Sequence, residues 1–347
     1  MELPRKILIG EGVVAEVGAL IRSLGVAESR VVVITGKTVK AEAGHECRSS
    51  LEKASLTSSW HIVKDASMDT VNKLQEKIKD KGLPDFVIGF GGGRSVDVAK
   101  MTAYRLGKPF LSVPTSASHD GISSPFVSIR GMDKPHSINA NTPLGVLADT
   151  HLMSQAPSRL LASGCGDLVA KITAVKDWEL ARDEKCEYFG SYAANLAYMS
   201  AKIILDESTE LKHKNQFSIR TIVEALISAG VASCIAGSSR PCSGAEHLFS
   251  HALEYVAGSN YGLHGERVGI GTIMMAKLHG LDWQKMAETL ENIGAPTAAR
   301  QINLTEDHVI KALVSAQSLR PDRYTILSKV RMDKNKAYEL AKFTKVI

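Results

Sequence analysis

Aromatic residues are scarce in this chain, at 5% of the sequence, so its core has to be built from aliphatic side chains and alanine. Cysteine is scarce as well. The five, Cys47, Cys165, Cys186, Cys234 and Cys242, are odd in number and include no C-x-x-C pair. That pattern favours a reduced, cytoplasmic protein over a disulfide framework. No cysteine stands near a histidine at zinc-finger spacing, so a metal site has to use other ligands. The opening Met1-Glu2-Leu3-Pro4-Arg5-Lys6 lacks the apolar segment of a signal peptide. Uninterrupted apolar runs fall well short of the ~20 residues that cross a bilayer, so no membrane insertion is expected. Charge of one sign is not in excess: 42 Lys and Arg face 37 Asp and Glu, a net +5 spread along the chain. A nucleic-acid partner is not expected from this balance, although a small positive bias favours the approach of a phosphorylated small molecule. Internal repeats and low-complexity tracts are absent too.

What is present is an ordinary globular composition, 44% hydrophobic and 23% charged over 347 residues, a length that suits two domains. The first 150 residues or so alternate β-branched runs with helical stretches. Arg30–Thr35, Trp60–Val63, Phe86–Phe90 and Phe110–Val113 read as strands, with helices over Met68–Lys81 and from Ser95 to about Leu106. This alternation predicts an α/β nucleotide-binding domain with a parallel sheet. Beyond Pro157 the stretches Gly166–Arg182, Tyr188–Asp206, Ser218–Gly237, Ala245–Tyr255 and Glu266–His279 carry helical spacing, and no convincing strand follows. The expected division is 1–156 for the α/β domain and 157–347 for an all-α domain.

Gly89-Phe90-Gly91-Gly92-Gly93-Arg94-Ser95-Val96-Asp97 lies between a predicted strand and a predicted helix. Glycines let backbone approach a ligand, and the free N–H groups opening the next helix suit an anion such as a pyrophosphate. A tight turn with no ligand fits this segment too, because the spacing is not the usual G-x-G-x-x-G. Pro114-Thr115-Ser116-Ala117-Ser118-His119-Asp120-Gly121 follows the next strand. Its small hydroxyl residues suit a nucleotide, and equally a capped loop.

Past the presumed boundary come Gly164-Cys165-Gly166-Asp167, then Glu246-His247-Leu248-Phe249-Ser250-His251, then Leu263-His264-Gly265-Glu266. His247 and His251 share one helix face. His264 follows across a Gly/Ser/Asn loop, and Asp167 lies on a helix read as opening after two glycines. One carboxylate and two imidazoles suffice for a divalent ion with an open position, suited to polarising a carbonyl oxygen. Ordinary hydrogen-bonded histidines fit the spacing as well.

The order of the glycine turn, PTSASHDGISSP, GCGDLVAK, GAEHLFSH and LHGE resembles the glycerol dehydrogenase and iron-type alcohol dehydrogenase superfamily, whose architecture dehydroquinate synthases share. SHDGISSP, the DWELA at Asp177–Ala181 and SSRPCSGAEHLFSHAL at Ser238–Leu253 resemble, more narrowly, the archaeal-type sn-glycerol-1-phosphate dehydrogenases. The resemblance runs over nearly the whole chain. It implies reversible NAD(P)H-dependent reduction of dihydroxyacetone phosphate in the cytoplasm, supplying the glycerophosphate backbone of archaeal lipids. It places the dinucleotide on Gly93, Arg94, Ser95, Val96 and Asp97, with Thr115, Ser116, Ala117, Ser118 and Ser124. It assigns Zn²⁺ to Asp167, His247 and His264. Asp120, Asp167 and His251 would touch substrate, with Asp120 and His251 the catalytic pair. The iron enzymes often carry a histidine four residues after the aspartate; here Lys171 stands there, which favours zinc, and no role is given to it. Gly36 and Lys37 at the end of the first long strand imply acceptance of NAD(H) or NADP(H). Arg159, Ser238, Ser239, Arg240 and Ser243 are possible phosphate donors. A homodimer or higher homo-oligomer is implied. The rival readings are a glycerol dehydrogenase acting on the unphosphorylated ketone, a dehydroquinate synthase-like lyase, and a nucleotide-binding module without catalysis.

Overall fold

Val31 to Ile34 shows why this chain builds a two-sided sheet: four successive apolar residues alternate between two separate cores. Period-two alternation of side chains with both faces apolar requires helices on both sides. The structure, a computed structural model, describes residues 1–26, 30–131, 137–258 and 261–347. Its first unit comprises Met1–Ala117, Gly121–Pro157 and Ile219–Val223; its second comprises Ser118–Asp120, Ser158–Ser218 and Glu224–Ile347.

In the first unit the strands are β1 Lys6–Gly10, β2 Arg30–Thr35, β3 Thr57–Ile62, β4 Phe86–Gly91, β5 Phe110–Pro114, β6 Phe126–Ser128, β7 Ser137–Asn139 and β8 Gly145–Asp149. Its helices are α1 Val17–Ser23, α2 Lys37–Lys53, α3 Met68–Asp80, α4 Gly93–Leu106 and α5 Thr150–Gln155. Six strands form a parallel sheet in the order β1-β8-β5-β4-β2-β3, and β6 pairs antiparallel with β7. On one face, Ala43, Cys47 and Leu51 of α2 pack with Val31, Val33, Ile88 and Phe90. On the other, Val71, Leu74 and Ile78 of α3 and Val96 and Ala99 of α4 pack with Val32, Ile34 and Val87. So β2 leads to a helix on one face and its neighbour β4 leads to a helix on the opposite face. A crevice opens at the carboxyl ends of such a strand pair, where parallel sheets receive ligands.

The second unit is helical: α6 Ser158–Val169, α7 Lys171–Lys185, α8 Ser191–Leu211, α9 Gln216–Ala236, α10 Ala245–Ala257, α11 His264–Leu278, α12 Trp283–Ile293, α13 Glu306–Leu319, α14 Ile326–Val330 and α15 Lys334–Phe343. Residues Ile219–Val223 of α9 group with the first unit.

Three readings of the sequence need correction. Gly166–Arg182 is two helices, broken at Ala170, and Gly164 and Gly166 lie inside α6 instead of opening a helix. Gly166 is there for proximity: a Cβ on it would stand 2.3 Å from the Gly265 carbonyl oxygen of α11. Strands β1 and β8, which pair with each other, are additions to the four expected. Finally, α9 is by length and composition apolar enough to cross a membrane, and 61% of that stretch is buried inside the protein, as in a core helix. Arg220 and Glu224 interrupt its apolar run, so run length alone did not reveal it.

Candidate active site

The glycine turn sits at the β2/β4 crevice. Gly91 ends β4 with φ 150°, a conformation closed to other residues, and a Cβ there would lie 2.9 Å from Ser95 Oγ. Gly92 is the N-cap of α4 and supplies no side-chain cap, so the helix presents its first N–H groups with the positive end of its dipole. Because β4 and β5 are neighbours, the second edge adjoins the first: Gly91 pairs with Pro114, and Thr115 N–H donates to Gly91 O at 3.0 Å. Ser116 Oγ is buried with no hydrogen-bond partner among the described residues, 3.4 Å from where a Cβ on Gly92 would stand. A buried hydroxyl left unmade costs about 1–3 kcal/mol, which is how a site prepared for a polar ligand looks.

The structure thus brings Gly93, Arg94, Ser95, Thr115, Ser116 and Ala117 to one edge of the first unit. Two side chains expected there turn inward. Val96 belongs to the core, and Asp97 Oδ2 accepts the Ser128 N–H at 3.2 Å. The Arg94 guanidinium donates to Lys64 O at 2.7 Å. Lys100, fully buried, was not foreseen; it donates to the carbonyls of Gly121, Ser124 and Phe126 at 2.6, 2.7 and 2.9 Å and so fixes the loop that carries Ser124.

In the second unit, three helices and one loop converge. Asp167 is in the last turn of α6, His247 and His251 share a face of α10, and His264 is the first residue of α11. Part of the loop before it, Ser259 and Asn260, lies outside the described residues. One ligand atom each from Asp167, His247 and His264 lie within 4.8 Å of one another. Both ring nitrogens point at the same oxygen: His247 Nε2 is 3.3 Å and His264 Nε2 3.9 Å from Asp167 Oδ1. His251 is buried, its ring centroid 6.3 Å from that of His264. Asp120 arrives from the loop, its N–H donating to Asp167 Oδ2 at 2.9 Å. Ser118 is held beside them, its carbonyl accepting from Ser163 Oγ at 3.4 Å.

Glycines make the convergence possible. A Cβ on Gly265 would lie 1.8 Å from Ser163 O, so α6 and α11 touch backbone to backbone beside Asp167 and His264, which they carry. Glu266 then caps α11, accepting from Leu263 N at 2.6 Å while Arg159 pairs with it at 2.5 and 2.7 Å.

Three buried charged residues around the cluster escaped sequence reasoning. Glu246 Oε1 pairs with His247 Nδ1 at 2.8 Å and accepts the Gly244 N–H at 2.6 Å; its Oε2 accepts from Thr173 Oγ1 at 2.8 Å. This leaves His247 Nε2 facing Asp167, the arrangement that orients metal-bound imidazoles. Asp177, in the DWELA segment, accepts from Ala245 N and Ile326 N at 2.6 Å each and so anchors the start of α10. Lys171 is fully buried, its Nζ 2.7 Å from Asp120 Oδ2 and 3.0 Å from Asp167 Oδ1. Spacing gave no sign of the first two, but the i,i+4 relation of Asp167 to Lys171 was a readable one.

The electrostatics follow from this packing. Burial would raise the Asp167 carboxyl, but Lys171 and the two imidazoles outweigh it and hold Asp167 well below the usual carboxylate range. Burial likewise opposes ionisation of Glu246, and His247 overcomes it, so Glu246 is lowered as well. His247 is raised: burial disfavours its cation, but the bonds to Asp167 and Glu246 prevail. His264 is pushed well below the usual histidine range by burial and then by the neighbouring His247. At neutral pH the cluster offers an ionised carboxylate and a neutral His264, which are the forms that ligate a cation.

The proposed phosphate donors are largely committed. Arg240 forms a bidentate pair with Glu187 and donates to Tyr324 O at 2.8 Å; Ser239 Oγ accepts from Arg323 at 2.9 Å.

An α/β unit with a glycine turn at its sheet edge, together with a helical unit bearing a carboxylate and two imidazoles, is the arrangement of metal-dependent alcohol dehydrogenases. Residues 8–157 match the family described as iron-containing alcohol dehydrogenase. The fold is that of a glycerol dehydrogenase from Schizosaccharomyces pombe, with TM-score 0.81, 20% identity and coverage of 99% of this chain and 89% of that one. An iron-containing alcohol dehydrogenase shares it with TM-score 0.75, 16% identity, and 99% and 98% coverage. Among curated relatives, the glycerol-1-phosphate dehydrogenase [NAD(P)+] of Nitrosopumilus maritimus is 55% identical over 100% of this chain and 97% of its own length. That of Thermococcus kodakarensis is 44% identical over 100% and 98%. The chain belongs to the glycerol-1-phosphate dehydrogenase family.

Proposed function

We propose that this chain is an oxidoreductase that reversibly reduces dihydroxyacetone phosphate to sn-glycerol 1-phosphate with NADH or NADPH, and that Asp167, His247 and His264 hold its zinc ion. The observation that carries the reading is the convergence of one carboxylate oxygen and two imidazole nitrogens within 4.8 Å. The name carried by the full-length relatives supports substrate and cofactor. The donor set fits a zinc ion: one oxygen and two nitrogens, a carboxylate behind His247, and fewer protein ligands than a closed structural site needs. The glycine turn fits a dinucleotide, through the uncapped start of α4 and the unpartnered Ser116 Oγ.

When bound, zinc supplies electrophilic pull on the substrate's C2 oxygen and the nicotinamide supplies the hydride. The chain does the rest. Asp120, with its side chain 19% exposed and its backbone tied to Asp167, accepts a substrate hydroxyl. His251, one turn beyond His247, passes the proton to the C2 oxygen that balances the hydride added to C2. The backbone N–H groups at Gly93 and Arg94 hold the pyrophosphate, and the Ser116 hydroxyl gives or takes one hydrogen bond with the nucleotide. Gly36, the N-cap of α2, carries no side chain to repel a ribose phosphate, and Lys37 stands next to it, so both cofactors are accepted. All five cysteines are unpaired thiols, which suits cytoplasmic synthesis of the lipid backbone. A homodimer or higher homo-oligomer is the assembly we propose.

The test is NADPH absorbance with zinc-loaded protein, dihydroxyacetone phosphate as substrate and dihydroxyacetone as control. Rapid oxidation with the phosphorylated ketone alone, giving a product that a glycerol-3-phosphate-specific enzyme ignores, is expected. Preference for dihydroxyacetone would make this a glycerol dehydrogenase, and no oxidation with either would reject the reading.

A further inference from the structure

Among the cluster's charges, Lys171 is the one that the proposed chemistry does not use. It is the first residue of α7, has no exposed side-chain surface, and reaches across the break at Ala170 to Asp167 in the last turn of α6. An ammonium has three protons to donate, and here there are three acceptors: Asp120 Oδ2 at 2.7 Å, Asp167 Oδ1 at 3.0 Å and Cys242 O at 3.3 Å. Such a saturated environment offsets the several kcal/mol that burial of an ion costs. With carboxylates at 2.7 and 3.0 Å and no exposed surface, the lysine is held as a paired ammonium.

Its placement has a consequence for the ligand set. Asp167 Oδ1 is the oxygen on which both His247 and His264 converge, and Lys171 already donates to it. With neutral imidazoles, the formal charge of Asp120, Asp167, Lys171 and Glu246, the carboxylate behind His247, is −2, which balances a divalent cation. Without Lys171 it would be −3. Lys171 thus keeps the occupied site neutral instead of negative, which favours the negative charge that grows on a ketone oxygen during reduction.

We propose that Lys171 is the site's fixed counter-cation, a positioning residue that holds Asp120 beside the ligand triad and weakens that triad's grip on a divalent ion. This rests on the function proposed above, but its test does not need the substrate. Zinc dissociation constants are measured by competition with a chromophoric chelator on stripped wild-type protein, Lys171→Met, Asp120→Asn and the double variant. Methionine keeps the length and apolar volume of the lysine stem.

Lys171→Met is expected to bind zinc about tenfold or more tightly, and Asp120→Asn about tenfold more weakly, as one charge is removed in each direction. The double variant, whose formal charge again equals that of the wild type, should return to within about threefold of wild type. With dihydroxyacetone phosphate, kcat/KM of Lys171→Met should fall at least about tenfold although its zinc is held more tightly. A merely structural lysine would lose zinc and turnover together. Weaker zinc binding by Lys171→Met, or a double variant no closer to wild type than the singles, would overturn the proposal. If Lys171→Met does not fold, Asp120→Asn decides: weaker zinc binding supports the counter-charge, and unchanged binding rejects it. A wild-type protein idle on the ketone would reject the proposed function and leave these zinc constants readable.

Discussion

Gly265 gives the sharpest handle on how the fold makes the site. A Cβ there would stand 1.8 Å from Ser163 O, against a floor of 3.0 Å for real Cβ contacts, and the obstacle is backbone in α6. Gly265→Ala therefore has to move α6 and α11 apart by at least about 1 Å. Zinc–ligand distances tolerate shifts of only about 0.2 Å. Asp167 rides on α6 and His264 on α11, so the separation comes between two of the three proposed ligands. The expected result is zinc binding weakened at least about a hundredfold, together with a loss of about 3 kcal/mol or more of stability from overpacking. The control is Gly269→Ala, one turn further along α11, where a Cβ would meet the end of Leu290 at an ordinary 3.4 Å. Alanine there should leave zinc affinity unchanged and stabilise the helix by up to about 1 kcal/mol. Competitive zinc titration and thermal melting of both variants check the reasoning. If Gly265→Ala held zinc within about threefold of wild type, backbone contact of α6 and α11 would not be what sets the ligand geometry.

Other outcomes follow from single atoms. Glu246→Gln should weaken zinc about 10- to 100-fold without unfolding the protein, since the carboxylate on His247 Nδ1 is lost while the side chain keeps its size; a chelator titration reads this. Ser116→Ala should leave the cofactor-free protein as stable or slightly more stable, because it removes a buried hydroxyl with no partner. NADPH affinity, followed by fluorescence, should nevertheless drop. Zinc binding should release a proton near neutral pH. His247 is raised above the ordinary 6.5, so part of it is protonated there and must lose that proton to ligate, whereas His264, well below 6.5, is already neutral. Affinity should therefore fall as the pH drops through and below neutrality, and calorimetry in buffers of different ionisation enthalpy would show the released proton. Calorimetry with no buffer dependence between pH 6 and 7 would contradict that assignment.

The sheet was legible where strands are buried on both faces: RVVVIT and FVIGF read as strands because nothing polar interrupts them. Strand β1, KILIG, was harder to see because it lies at the sheet edge and pairs only with β8, more than a hundred residues away. Sequence order carries no trace of such a partner. In the helical unit, the i,i+4 histidines announced a shared face. The role of Gly166 and Gly265 did not show, because a helical glycine chosen for close approach looks locally like a helix breaker. The charges that support the site were the least legible. Glu246 and Asp177 resemble ordinary surface residues in the sequence, and only their burial, at 0% exposure each, shows that they have to be paired, whereas Lys171, buried as completely, left one sign in its i,i+4 spacing from Asp167.

The most direct test of the whole account is a zinc titration of stripped wild-type enzyme and of His264→Ala, with NADPH oxidation by dihydroxyacetone phosphate as the readout. In the wild type, activity should be absent at first, rise in step with added zinc and level off at one ion per chain, while His264→Ala stays inactive over the same range. Full activity in the stripped protein, or an unaltered titration in His264→Ala, would contradict the assignment of Asp167, His247 and His264 as the reaction's metal site.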